Sequence, residues 1–263
     1  MRNTPVIAYE DTPRDVVATS NDYPNGRVLA SHTHKRAQCL YAIVGVMTIT
    51  TSEGAWVVPP GRALWIPAGA AHQVHMGGAT STRSAYILPE AADQAGLPAH
   101  CTVIAVSSLL HALLSEAVDV PAEYVPGGRD DRLMRLLVDE IARMPSLSLS
   151  TPLPQDPRLA RLCDALLRSP SLEIDINTMA HKAGMSRRSF TRLFRQQTGM
   201  SFSTWRQQAC LLAALARLGL GEPVTRVAME LGYSSTSAFS AAFRRTLGSA
   251  PSHYLVTPTA DAA

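Results

Sequence analysis

The chain has 263 residues, 46% of them hydrophobic and 17% charged, which is enough apolar content for a packed core in one large domain or two modest ones. Four widely spaced cysteines, Cys39, Cys101, Cys163 and Cys210, form neither a metal knuckle nor a disulfide framework, and no stretch has the apolar run of a signal peptide or a membrane span. Secretion and membrane insertion are not expected, and a reducing cytoplasm is. The net charge of +3 is unevenly divided, because residues 1–156 carry 11 Lys and Arg against 15 Asp and Glu, whereas residues 157–263 carry 13 against 6. A polyanionic partner is therefore expected at the C-terminal part.

From the N-terminus, residues about 5 to 106 read as short strands broken by Gly and Pro: VLASHTH, AQCLYAIVGVMTITT, AWVVP, ALWIP, QVHM, STRSAYILP and CTVIAV. Such spacing predicts an all-β barrel or sandwich. Within the first two strands, His32, His34 and Gln38 share one parity, so on an extended chain they point the same way, and His72 would have to join them from a neighbouring strand. Three imidazoles with a weak or open fourth position suit Zn, Ni, Fe, Mn or Cu. A pocket in which the same histidines are hydrogen-bonded around an organic effector is the alternative. His75 has the opposite parity from His72, while His100, His111, His181 and His253 lack partner spacing and read as surface or core residues. Trp56 and Trp65 read as core or pocket wall.

The spacings Gly26-x5-His32-x-His34-x3-Gln38-x6-Gly45 and Gly61-x5-Pro67-x-Gly69-x2-His72 resemble the two motifs of the cupin barrel over residues about 6 to 90. The resemblance implies a metal or effector site at His32, His34, Gln38 and His72. Two departures stand out: cupins that bind metal tightly usually have Glu where Gln38 stands, and Met76 replaces a usual Asn. A neutral amide supplies less charge to a metal than a carboxylate. Cupins also include dioxygenases and isomerases, so a cupin metalloenzyme fused to the C-terminal part is the rival reading, although the barrel shows no evident acid–base pair.

Two helical patterns follow, Ser108 to Val118 and Arg129 to Met144. The second carries a stripe of Leu133, Leu136, Leu137, Ile141 and Met144 that could pack on the barrel or pair with a second copy. Residues 144–157 hold four prolines and four hydroxyl side chains, a composition that resists both helix and sheet and reads as a linker.

Beyond the linker the pattern is helical and repeats after about fifty residues: Ala180-His-Lys-Ala-Gly-Met-Ser186 is echoed by Ala228-Met-Glu-Leu-Gly-Tyr-Ser234. Each copy reads as a helix ending at a glycine, Gly184 or Gly232, then a tight turn and a second helix opened by a serine, which makes a helix-turn-helix. At 100° per residue the first copy's second helix turns Phe190, Leu193, Phe194 and Gln197 to one side and Arg188, Thr191, Arg192, Arg195 and Gln196 to the other. Arginine can fork onto guanine and also holds phosphate, so this face suits a major groove. The second copy turns Ser237, Ser240, Ala241, Arg244 and Arg245 outward, with less to read bases.

This double unit, the long helix Ser203 to Leu218 between its halves and the closing Ser-Ala-Pro-Ser-His-Tyr254 resemble the C-terminal domain of AraC/XylS-type transcriptional regulators over residues about 157 to 256. The resemblance implies base contacts at Arg188, Thr191 and Arg192 in the first unit and at Thr236, Ser237 and Ala241 in the second; with the outward faces, the candidate DNA-binding residues are Arg187, Arg188, Thr191, Arg192, Arg195, Thr236, Ser237, Ser240, Arg244 and Arg245. Ala241 stands where a polar residue is usual, and the first unit lacks a usual proline, with Trp205 replacing a core tyrosine. The expected fold class is α+β in two domains: a cupin-like sensor barrel at 1–106, helices supporting dimerisation at 107–144, a linker at 145–157, a double helix-turn-helix domain at 158–256 and a tail at 257–263. The expected function is a regulator that senses a small molecule or metal and binds promoter DNA as a homodimer, with RNA polymerase as a further partner if it activates.

Overall fold

A computed structural model describes residues 10–147, 149–247 and 250–254. Gly248, Ser249 and the 257–263 tail lie outside the described residues, as do the side chains of His253 and Tyr254. The chain folds as two compact units, one from residues before 52 and from 58–148, the other from residues 52–57 and 149–256.

The first unit is built on an antiparallel sheet. Its strands are β1 (Val16–Tyr23), β2 (Val28–His32) and β3 (Ala37–Thr50), then, after β4 (Gly54–Val58) of the second unit's ladder, β5 (Arg62–Ile66) and β6 (His72–Ile87). A short helix α1 (Pro89–Gln94) leads to β7 (Thr102–Ala105); helices α2 (Ser108–Ala117) and α3 (Arg129–Arg143) follow, and β8 (Ser146–Leu147) closes on β7. The strand order is β1-β6-β3-β5-β7-β8, with β2 also on β6. Strand β6 is the spine: residues 80–87 pair with β1 and residues 72–75 with β2, while its other edge pairs with β3. The sequence pattern splits this strand in two at Gly77-Gly78; the strand runs on through them, paired with β3 up to Gly77 and again from Ser81. Strand β1, unlisted by pattern because of its Thr, Ser, Asn and Asp, forms because β6 supplies its partner groups.

Register assigns the two faces. On one, Cys39, Tyr41, Trp65, Ala85 and Ile87 pack against Leu110, Leu113 and Leu114 of α2 and Met134, Leu137, Val138 and Ile141 of α3. On the other lie Gln38, Leu40, His72, Val74, Met76, Ser84 and Tyr86, around a cavity. The α3 stripe thus packs on its own sheet; Leu136, expected within it, is 43% exposed, and Met134 and Val138 are buried instead. Gly45 (φ +79°) sits where the β3 register shifts, and a Cβ there would lie 2.4 Å from Thr80 Oγ1 and 2.7 Å from Ala79 O.

In the second unit, β4 pairs antiparallel with β9 (Ser150–Pro152), Ala55 opposite Thr151. Both β8 and β9 fall where composition resists a sheet; each is short, and Pro152 ends its strand where it need not donate a bond. Helices α4 (Pro157–Arg168), α5 (Ile176–Lys182), α6 (Arg187–Thr198), α7 (Phe202–Gly219), α8 (Val224–Glu230), α9 (Thr236–Leu247) and α10 (Pro251–Tyr254) follow. Helix α4 starts at Pro157 because Asp156 accepts bonds from Arg158 N and Leu159 N and proline suits the first turn. The core gathers Leu159, Cys163, Met179, Phe190, Phe194, Phe202 and Trp205. Trp205 is fully buried and donates its indole N–H to Pro152 O at 2.7 Å, tying α7 to β9.

Candidate functional site

The register that places β2 on β6 sets His32 directly opposite His72. His34, two residues past the end of β2, still turns to the same face, so three rings meet with centroids 4.4 Å (His32–His72), 4.9 Å (His32–His34) and 5.3 Å (His34–His72) apart. One nitrogen from each comes within 4.8 Å of the others. His32 Nδ1 bonds to Ala30 O at 2.7 Å and His72 Nδ1 to Ala70 O at 2.9 Å. Since a carbonyl only accepts, these nitrogens carry protons, and in a neutral ring that leaves the lone pair on Nε2.

Gln38 completes the group from β3. Its amide nitrogen donates to Ser84 Oγ and to the Tyr86 hydroxyl, both at 3.1 Å. Its Oε1 is buried with no hydrogen-bond partner among the described residues, and so is His72 Nε2. Buried acceptors left unpaired are costly, and here both are lone-pair donors to whatever fills the space. Burial favours the neutral form of His34 and His72: His34 is pushed down to about 4, with the neighbouring His32 and His72 adding repulsion, and burial also lowers His72. Burial raises Tyr86 well above the usual phenol range. The cavity beside these groups measures about 520 Å³, with Leu40, Val74 and Met76 as apolar wall and Tyr23 and Arg27 among its polar groups. Three imidazoles, an amide oxygen and an adjoining organic-sized space can hold a metal, an effector, or one on the other.

The four residues proposed from spacing thus converge. His75 is exposed on the other face of β6, and His111 bonds to the Tyr41 hydroxyl at 2.8 Å, away from the cluster. Sequence reasoning missed Glu10, Ser84 and Tyr86. Strand parity along β6 could have found the last two; nothing local marks Glu10.

In the second unit, α5 and α6 are joined by a turn in which Gly184 (φ +66°) lets Met185 N reach Ala180 O at 2.9 Å. Between α8 and α9, Gly232 (φ +85°) lets Tyr233 N reach Ala228 O at 3.0 Å in the same way. Ser186 caps α6 through Ser189 N, and Ser235 caps α9 through Ala238 N. Helix α6 buries Phe190 and Phe194 and exposes Arg187, Arg188, Thr191, Arg192, Arg195 and Gln196, which border one open hollow. Helix α9 buries Phe239, Ala242 and Phe243; Ser237, Ala241, Arg244 and Arg245 are exposed, and Thr236 and Ser240 are half-buried. The Thr191 hydroxyl donates to Arg187 O, which leaves its lone pairs outward.

Comparison with known proteins adds two family matches: the AraC-like ligand binding domain over residues 14–197 and a helix-turn-helix domain over residues 179–256. The HTH-type transcriptional regulator NimR of Escherichia coli is 31% identical over 231 residues, 87% of this chain and 82% of that one. The HTH-type transcriptional regulator RipA of Corynebacterium glutamicum is 35% identical over 121 residues, 45% of this chain and 36% of that one. Among solved structures, unsaturated fatty acid-bound ToxT of Vibrio cholerae aligns with a TM-score of 0.40 at 11% identity, covering 96% of this chain and 99% of that one.

Proposed function

Because the chain belongs to the AraC-type transcriptional regulators, joining an AraC-like ligand-binding domain to a DNA-binding helix-turn-helix domain, we propose that a divalent transition metal held by His32, His34, His72 and Gln38 Oε1 is the floor of its effector site. The observation that carries this reading is the pair of buried, unpartnered lone-pair atoms, His72 Nε2 and Gln38 Oε1, inside a group of three imidazoles. A cation satisfies both at once. Imidazole-rich sets suit Zn, Cu, Fe and Ni, and with no carboxylate in the histidine group Mn is the poorest fit. When bound, such a metal supplies a Lewis-acidic centre for an effector's oxygen or nitrogen.

The chain's own residues do the rest. Ala30 O and Ala70 O fix which nitrogens face inward, Ser84 and Tyr86 fix the Gln38 amide, and the apolar wall receives the effector's body. The role is sensing rather than turnover: the relatives are named as transcriptional regulators. A ligand then controls DNA binding by its differential affinity for two states of the protein.

On the DNA side, Arg188 and Arg192 with Thr191 read bases from α6, and Arg187 and Arg195 flank them. Arg244 and Arg245 with Thr236, Ser237 and Ser240 hold α9 against phosphates, since Ala241 leaves that helix little to read with. The protein works in the cytoplasm as a homodimer, supported by exposed Leu109 and Leu136 on α2 and α3, and meets RNA polymerase where it activates.

Metal analysis of purified full-length protein tests the site. Near-stoichiometric transition metal is expected in the wild type, lost in His32→Ala and His72→Ala together with the effector response. Substoichiometric metal, with both variants retaining wild-type DNA binding and response, sinks the metal reading.

A further inference from the structure

We infer that Glu10 is a positioning residue of this site, its carboxylate facing Nδ1 of His34 and supplying the negative charge that the amide of Gln38 does not. The inference rests on the metal reading above. His32 and His72 have their Nδ1 protons held by carbonyls two residues upstream, Ala30 O and Ala70 O. The acceptor facing His34 is of another kind, Glu10 Oε1, 3.7 Å from His34 Nδ1. Both side chains are largely buried, 9% and 13% exposed. That separation is within ion-pair range and longer than a hydrogen bond, so the carboxylate acts on the ring through its charge. With the proton on Nδ1, His34 has its lone pair on Nε2, the tautomer that Ala30 O and Ala70 O select in the neutral forms of His32 and His72. A carboxylate behind a ligating imidazole orients the ring and raises its basicity.

Glu10 is held there by a costly device. Arg36 is 1% exposed, yet its guanidinium is given over to backbone carbonyls: Glu10 O at 3.1 Å, Thr12 O at 2.6 Å, Arg14 O at 2.9 Å and Asp15 O at 3.3 Å. A buried cation spent on carbonyls fixes the path of residues 10–15 against residues 34–36. The Lys35 backbone N–H then donates to Glu10 Oε1 itself at 3.1 Å, anchoring the oxygen that faces His34.

The test uses full-length protein stripped with a chelator and titrated with Co²⁺, read by its visible ligand-field spectrum and by competition with a chelator of known affinity. Glu10→Gln, which keeps size and removes charge, should weaken Co²⁺ binding about 10- to 100-fold and shift the spectrum, and Glu10→Asp should restore part of both. The metal-free proteins should melt alike. Wild-type affinity and spectrum in Glu10→Gln would overturn the inference while the metal reading stands, and a lowered metal-free melting temperature would overturn it in favour of a folding role. A wild type that binds no Co²⁺, Ni²⁺ or Zn²⁺ would overturn the metal reading and this inference with it.

Discussion

Gln38 and Cys39 are neighbours in one strand, yet the first faces three histidines and the second faces α2 and α3. Alternation along a strand makes that division legible from sequence and groups His32, His34 and Gln38, while His72 joins them through the spacing of the second motif. Glu10 could not: its place depends on carbonyls that Arg36 collects, and backbone acceptors leave no mark in a sequence. The same scale governs pH. His34 is held neutral down to about 4 by burial, whereas in the unfolded chain it protonates near 6.5. Between those values the unfolded state binds more protons, so stability is fully present above about 6.5 and falls as pH drops toward about 4. Urea midpoints of metal-free protein should therefore be lower at pH ~5 than at pH ~7.5, and the gap should shrink in His34→Gln. For the DNA face, Arg192→Ala should cost about 1–3 kcal/mol on target DNA and relax sequence preference, whereas Arg244→Ala should weaken all sequences alike and reduce the salt slope by about 1. Isotherms on target and scrambled DNA at two salt concentrations check this; an unchanged target-to-scramble ratio for Arg192→Ala removes α6 as the reader.

Elements were legible where periodicity was strong. The 3.6-residue pattern placed α6 and α9 with their buried and exposed faces, because their phenylalanines recur at helical spacing against runs of Arg and Ser. Strand β1 and the ribbon strand β9 were not, since both owe their form to partners distant in sequence rather than to their own composition. On α3 the exposure of Leu136 follows from the sheet it packs on, which selects Met134 and Val138 instead. Two substitutions separate such contributions. Gly45→Ala would force φ +79° on a residue with a Cβ against Thr80 and Ala79 O; backbone strain alone is worth about 1–3 kcal/mol, and a melt no lower than wild type would mean that the β3 shift is free to relax. Trp205→Ala removes a fully buried indole and its bond to Pro152 O. About 3–5 kcal/mol is expected from such a truncation, measurable by denaturant unfolding, with the loss confined to the second unit's transition.

At the scale of the whole molecule, the division of charge that composition revealed matches the division of labour: the acidic part of the sequence includes the histidine cluster, and the basic part includes the arginine face. A metal bound only by folded protein should stabilise it by about 2.7 kcal/mol at a free concentration 100 times the dissociation constant. Thermal shifts with Zn²⁺ should show this in the wild type and not in His72→Ala. If Leu136 belongs to a homodimer interface, sedimentation of Leu136→Glu should show a monomer at concentrations where the wild type is a dimer. The site's convergence was readable because motif spacing encodes which strands meet. The make-up of the second unit was not, because it includes six residues that precede its main stretch by almost a hundred positions.

That interruption bears on how such a protein can evolve. With residues 52–57 laid on β9, the DNA-binding unit is not a cassette that begins at the proline-rich linker. A recombination event at residue 149 would deliver it with one edge of its ribbon bare and without Trp56. An incoming sensor would have to bring a hairpin of matching length and chemistry, so substitutions in 54–56 should be compensated at 150–152 rather than among their neighbours in sequence.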